Sequence, residues 1–190
     1  MIDAMTLPAP LLNDRATSGK RAPQKPMNEA QFEAFYRSTA GSLWSYIYRL
    51  TGNPATADDL LQKAFFRLLR ANPRVESEEH LRRYLFRVAT NLVFDHFRET
   101  KKYLGGDALP PVGPEATSRD LRHDMQRMFG ELKPQERALL WLAHVEEANH
   151  DEIGEALGVK SKSVRVLLFR ARKRLAAVLR QYGFGPEVAR

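Results

Sequence analysis

The sequence predicts an all-α protein: two small helical domains joined by a flexible linker. Apolar residues recur three and four apart through residues 28–101 and again through 119–182, the period of helices that each cover one face. Between these blocks, GGDALPPVGPEATS at 105–118 carries Gly and Pro and no periodicity, the composition of a tether. Val and Ile are sparse and sit at helical spacing, so no strand is expected.

Residues 1–26 are rich in Pro, Ala and small polar residues and read as a disordered tail. Asp3 stands where a signal peptide would be basic, and prolines interrupt the short apolar run, which argues against a targeting segment. The first domain occupies 27–103. Asn28 and Gln31 have the spacing of a capping box, and Met27 and Phe32 sit at its two staple positions. Phe32, Phe35, Leu43, Ile47 and Leu50 then carry a helix to its stop at TGNP. Pro54 starts a second helix, with a stripe of Ala57, Leu60, Leu61, Ala64, Phe65, Leu68 and Leu69, and Asn72-Pro73 ends it. A third runs from about Glu78 to Lys101, with Leu81, Leu85, Val88, Leu92 and His96 on its apolar face.

The linker covers 104–118, the second domain 119–182 and a short tail 183–190. Leu121, Met125, Met128 and Leu132 mark one helix of this domain, and Pro134 begins the next. EIGEALGVKSKSVRVL at 152–167 has the pattern of a helix-turn-helix. Gly154 allows close crossing, Gly158 suits a left-handed turn residue, and Ile153, Leu157, Val159, Val164 and Leu168 can fill the space between the helices. Asn149 and Glu152 repeat the capping signature.

Lys plus Arg number 30 against 23 Asp plus Glu, a formal net charge of +7, which favours a polyanionic partner. From Lys160 to Arg180 the charge is entirely basic. Solvated helices usually mix signs in i,i+4 pairs, so a one-signed face suits DNA: phosphates accept Lys and Arg along it, and Arg165 near its start can reach a base edge. On the third helix, Arg83, Arg87, Asn91, Phe94 and Arg98 follow one another three or four apart. Cations, an amide and an aromatic ring on one face suit single-stranded DNA. A charged face with a buried Phe94 explains that pattern equally well.

There is no Cys, which excludes disulfides and thiolate metal sites. The five His form no HxxxH pair, and the acidic doublets Asp58-Asp59, Glu78-Glu79 and Glu146-Glu147 point apart on a helix. No catalytic residue, metal site or cofactor is expected, and no enzyme. No apolar run approaches the roughly 20 residues that span a bilayer, so no membrane role and a cytoplasmic location are expected.

TADDLLQKAFFRLLR, LRRYLFRVATNLVFDHFR and LKPQERALLWLAHVEEANHDEIGEALGVKSKSVRVLLFRARKRL occur in that order around a linker. Over roughly residues 28–180 the chain resembles the extracytoplasmic-function (ECF) sigma factors of bacterial RNA polymerase. That resemblance implies a promoter-melting region 2 and a helix-turn-helix region 4. Asp58, Asp59, Gln62, Lys63 and Phe66 would dock on core polymerase at the beta-prime clamp helices, and region 4 would meet the beta flap. Arg83, Arg87, Asn91, Phe94, Arg98, Lys101 and Lys102 would meet the minus-ten element. Ser161, Lys162, Ser163, Arg165, Val166, Phe169, Arg170, Arg172 and Lys173 would meet the minus-thirty-five element. An anti-sigma factor is a common partner in the family. Two departures stand out: Lys63 replaces a usual acid, and Val166-Leu167 replaces a small polar residue followed by Arg. The competing reading is a stand-alone helix-turn-helix regulator whose first domain binds a ligand or dimerises.

Overall fold

The computed structural model describes residues 27–71, 73, 77–104 and 127–184, with the backbone alone for 101–104. The expected tail at 1–26, the linker and most of the C-terminal tail therefore lie outside the described residues, as do Leu121 and Met125. Every element is helical: α1 Glu29–Thr51, α2 Pro54–Ala71, α3 Glu78–Leu104, α4 Pro134–His144, α5 His150–Leu157 and α6 Ser161–Gln181. A helical turn at 127–130 precedes α4. Among the described residues, no helix is long and apolar enough to cross a membrane.

Local chemistry sets the helix ends. The Asn28 side chain accepts from the Gln31 amide at 2.8 Å while Gln31 accepts from the Asn28 amide at 3.0 Å, so two amides that would lack helical partners are satisfied reciprocally. Gly52 ends α1 in the left-handed conformation. Between α5 and α6, Gly158 has φ 65° and ψ 31°, a region costly for a residue with a Cβ. A Cβ on Gly154 would lie 2.9 Å from the Val159 carbonyl oxygen and 3.2 Å from the Ser161 Cα. The turn thus needs one glycine for its dihedral angles and the other for its clearance.

Leu43, Tyr46, Ile47 and Leu50 of α1 are fully buried against Ala57, Leu60, Ala64, Phe65 and Leu68 of α2 and the apolar residues of α3. Each large apolar side chain so covered stabilises the fold by about 1.5–3 kcal/mol. Leu69, expected in the α2 stripe, is instead 53% exposed and stands beside exposed Phe66.

Helix α3 departs most from its expected pattern. Besides Leu81, Leu85, Val88 and Leu92, it buries Phe86, Ala89, Val93, Phe94 and Phe97. An isolated amphipathic helix covers one face. Helix α3 packs on α1 and α2 along one side and on α5 along another, so it carries two buried stripes, and His96 is left half-buried.

The two helical groups meet directly. Helix α1 packs on α4 and α3 on α5, and one apolar core runs from Phe35 and Phe65 through Phe86 to Ile153, Leu157 and Leu168. A second, smaller core joins Met128, Leu132 and Leu140 to Ala171 and Val178 of α6. The second group of helices thus docks on the first.

Candidate nucleic-acid interface

The last helix, α6, is built as a presented face. Val164, Leu168, Ala171 and Val178 are buried, and this side locks against α4 and α5. Lys162, Arg165, Val166, Phe169, Arg170, Arg172 and Lys173 are exposed, and Ser161 and Ser163 are half-exposed. Val166 is 50% and Phe169 64% exposed. Large apolar groups left in water among cations are what a contact surface needs, because their burial is deferred until a partner arrives. Arg172 lies at the rim of this face, where its Nε approaches His144 Nε2 at 3.3 Å.

Helix α2 presents a second face. Asp58, Asp59, Gln62, Lys63 and Phe66 are all exposed. Lys63 pairs with Asp59 at 2.6 Å one turn away. Asp58 accepts from Trp44 Nε1 at 2.7 Å, which ties the carboxylate to α1. Phe66, 65% exposed, and Leu69 make the apolar centre of this surface.

The expected face of α3 is only partly assembled. Asn91 is exposed, Arg83 is exposed, and Arg87 and Arg98 are half-exposed. Phe94 is corrected: it is 5% exposed and belongs to the core, so no base can stack on it in this arrangement. Arg98 pairs with Asp95, and its Nε is buried without a hydrogen-bond partner. Lys101 and Lys102 lie in the last turn of α3, their side chains outside the described residues.

Arg83 and Arg87 face the second domain. Arg83 pairs with Glu152 and Arg87 with Glu155, both on α5. The hydrogen bond that Arg83 donates to Glu152 raises the Arg83 pKa above its ordinary value, with desolvation opposing. Arg87 also lies over the Tyr84 ring, 5.3 Å from its centroid. These groups border a cleft of about 260 Å³ between α3 and α5.

Two arginines important to this seam, Arg82 and Arg137, are not among the expected site residues. Arg82 donates to Glu146 at 2.9 Å and to the Ser42 hydroxyl at 2.9 Å. The Glu146 side chain is 8% exposed and also accepts from Trp141 Nε1 at 3.3 Å. Arg137, 1% exposed, donates to the carbonyls of Leu132, Arg49 and Leu50. Burial lowers its pKa to about 10, against a smaller raising effect of Glu136. The available signal was position: Arg137 interrupts the buried face of α4, between Pro134 and Leu140. Among the described residues, no group of His, Asp and Glu is arranged to hold a metal ion.

Sigma-70 region 2 matches residues 35–103 and Sigma-70, region 4, matches residues 122–175. The chain is 30% identical to the ECF RNA polymerase sigma factor SigE of Mycolicibacterium smegmatis over 162 residues, which is 80% of this chain. It spans only 62% of that relative's length. It is 26% identical to the ECF sigma factor SigM of Bacillus subtilis, over 77% of this chain and 93% of SigM. Among solved structures it shares its fold with the sigma factor RpoE in complex with the anti-sigma factor NepR from Bartonella quintana. There the TM-score is 0.66 at 18% identity, over 84% of this chain and 98% of RpoE. CnrH, solved with the cytosolic domain of CnrY, gives a TM-score of 0.60 at 20% identity, over 81% of this chain and 90% of CnrH. Two sigma-70 regions in their family order, on a fold shared with sigma factors, show that the chain belongs to the sigma-70 family, within its extracytoplasmic-function group.

Proposed function

We propose that this chain brings core RNA polymerase to particular promoters and takes part in opening them. The observation that carries the reading is the one-signed, exposed face of α6 behind a rigid, glycine-built turn. In this reading α6 enters the major groove of the minus-thirty-five element. Arg165 reaches a base edge, Val166 and Phe169 pack on thymine methyls, and Ser161, Lys162, Ser163, Arg170, Arg172 and Lys173 hold phosphates. Asp58, Asp59, Gln62, Lys63 and Phe66 dock on polymerase, with Phe66 at the apolar centre. Arg83, Arg87, Asn91 and Arg98, with Lys101 and Lys102, meet the melted minus-ten strand. RpoE is solved with an anti-sigma factor, and a protein of that kind is a proposed partner here too. The site of action would be the cytoplasm, with the polymerase.

Run-off transcription with core polymerase on a promoter library tests the proposal. Arg165→Ala is expected to lower transcription from promoters with the native upstream element selectively, by about 1–3 kcal/mol of discrimination. Arg174→Ala is expected to weaken all upstream sequences evenly, since a phosphate contact carries no sequence information. A chain that footprints duplex operators alone and never stimulates core polymerase would be a stand-alone regulator instead.

A further inference from the structure

The cations of α6 are not equivalent. Among the described residues, the side chains of Lys162, Arg165, Arg170, Lys173 and Arg174 are exposed and enter no hydrogen bond or ion pair. Arg172 is exposed as well, but its Nε donates to His144 Nε2 across 3.3 Å. His144 lies 28 residues away in the sequence, in the last turn of α4. Both ends of this bond stand on fixed backbone. Arg172 follows Ala171, which is fully buried, and Leu168 one turn earlier is 3% exposed. Leu142, two residues before His144, is buried too, and the Val145 amide closes α4 on the Trp141 carbonyl at 2.8 Å. A guanidinium has two donor edges: Nε with one Nη, and the two Nη together. With Nε turned to the imidazole, the two-Nη edge stays available, and such a pair can grip two oxygens of one phosphate. A free arginine side chain loses rotamer freedom when it grips a partner. Arg172 has given up part of that freedom beforehand.

We infer that His144 is a positioning residue for promoter binding: it holds the Arg172 guanidinium aimed at one phosphate beside the major groove, and so fixes the register of α6 on the duplex. This rests on the reading of α6 as the helix that meets the minus-thirty-five element. The imidazole acts through its acceptor nitrogen and touches no DNA itself. Phosphate contacts set orientation and carry no sequence information, so the pair complements Arg165, Val166 and Phe169, which face the bases in this reading. The unpaired Lys162, Arg170, Lys173 and Arg174 supply attraction spread along the backbone. Arg172 supplies one located contact, because a side chain held by a neighbour on a rigid element is aimed before the partner arrives.

The test uses the full chain reconstituted with core polymerase on a promoter duplex selected from the library. Affinity is measured for wild type, His144→Leu, Arg172→Ala and the double variant. His144→Leu keeps much of the bulk but removes the acceptor. It is expected to weaken binding about 2- to 10-fold, the cost of ordering one long side chain. In the Arg172→Ala background the same change is expected to have no effect. His144→Gln, whose amide oxygen reaches about as far as Nε2, is expected to restore wild-type affinity. Replacing single phosphates by methylphosphonates locates the contact. One position in the upstream element is expected to cost wild type and His144→Gln more than His144→Leu. Thermal melting is expected to be the same for wild type and both His144 variants, since the residue is exposed. A full further loss from His144→Leu when Arg172 is already alanine would make His144 a DNA contact in its own right and overturn the positioning role. Unchanged affinity in His144→Leu, or a loss that glutamine does not restore, overturns it too. If the wild-type chain gives core polymerase no promoter binding, the sigma reading falls. The same four proteins are then compared on the duplex that the chain footprints alone, where the same outcomes decide the role of His144.

Discussion

Arg137 Nη1 donates to the Leu50 carbonyl oxygen across 2.8 Å, so a cation of α4 caps the last turn of α1. The same nitrogen reaches the Arg49 carbonyl at 3.0 Å, and Nε reaches Leu132 at 3.0 Å. All three acceptors are backbone oxygens, and a helix C-terminus favours a positive charge. The cost of burying the guanidinium shows in its lowered pKa. Arg137→Ala is expected to lower unfolding free energy by about 2–4 kcal/mol, because it leaves a void and strands buried carbonyls. Arg137→Lys is expected to recover part of this, since one ammonium cannot reach both sides of the seam. Urea denaturation measures both, and an alanine loss below about 1 kcal/mol would show that water replaces the guanidinium.

Gly154→Ala is expected to destabilise the second group of helices by about 1–3 kcal/mol, the usual cost of overpacking. Its Cβ would meet the Val159 carbonyl and the start of α6, both backbone and neither able to swing aside. Duplex binding is expected to fall with it, because the angle between α5 and α6 sets the presented face. A thermal melt within 1 °C of wild type would show that the turn opens freely.

Phe66→Ala should leave stability within about 0.5 kcal/mol, as for surface positions generally, since the ring is 65% exposed. Affinity for core polymerase is expected to drop by about 1–3 kcal/mol if this ring is the centre of the interface. Titration of labelled protein with core enzyme tests it. Unchanged affinity in Phe66→Ala/Asp59→Arg would move the docking surface elsewhere.

Asn91→Ala is expected to spare folding, polymerase binding and duplex binding, since the residue is exposed. Open-complex formation should fall about 10-fold, for one to two kcal/mol of lost base contact. A pre-melted bubble should not fully rescue it. Permanganate footprinting on a cognate promoter reads the effect, and normal opening would remove Asn91 from the strand-reading role.

Tyr46 gives a pH dependence. Thr90 Oγ1 donates to the Phe86 carbonyl at 2.7 Å, so its one hydrogen is used and the Tyr46 hydroxyl donates to Thr90 at 2.7 Å. Burial raises the Tyr46 pKa far above its ordinary value, the Thr90 bond opposing and Glu146 adding slightly. The unfolded chain therefore ionises first, near pH 10, and this contribution to stability is lost as pH rises beyond that. Tyr46→Phe is expected to cost about 0.5–1.5 kcal/mol at neutral pH and to show a shallower alkaline loss. Parallel alkaline slopes for the two proteins would contradict the assignment.

By itself the sequence determined what depends on near neighbours. The Asn28 and Asn149 capping boxes, the stop at Gly52, the exposed face of α2 and the crossing at Gly154 and Gly158 follow from residues within a turn or two of one another. The basic α6 face was legible for the same reason, since its buried and exposed sides alternate with the helix period. Tertiary structure decided what α3 does. Phe94 continues the spacing of Arg83, Arg87 and Asn91, and only the docking of neighbouring helices on two sides of α3 sends that ring into the core while Asn91 stays exposed. It also decided the partners of Arg82, Arg83, Arg87 and Arg137, which lie more than 60 residues away in Glu146, Glu152 and Glu155 and in the backbone of α1. Helical periodicity reports which side of a helix is covered. It carries no information about which distant element covers it, because that choice is made by shape and charge between surfaces that exist only after the helices have formed.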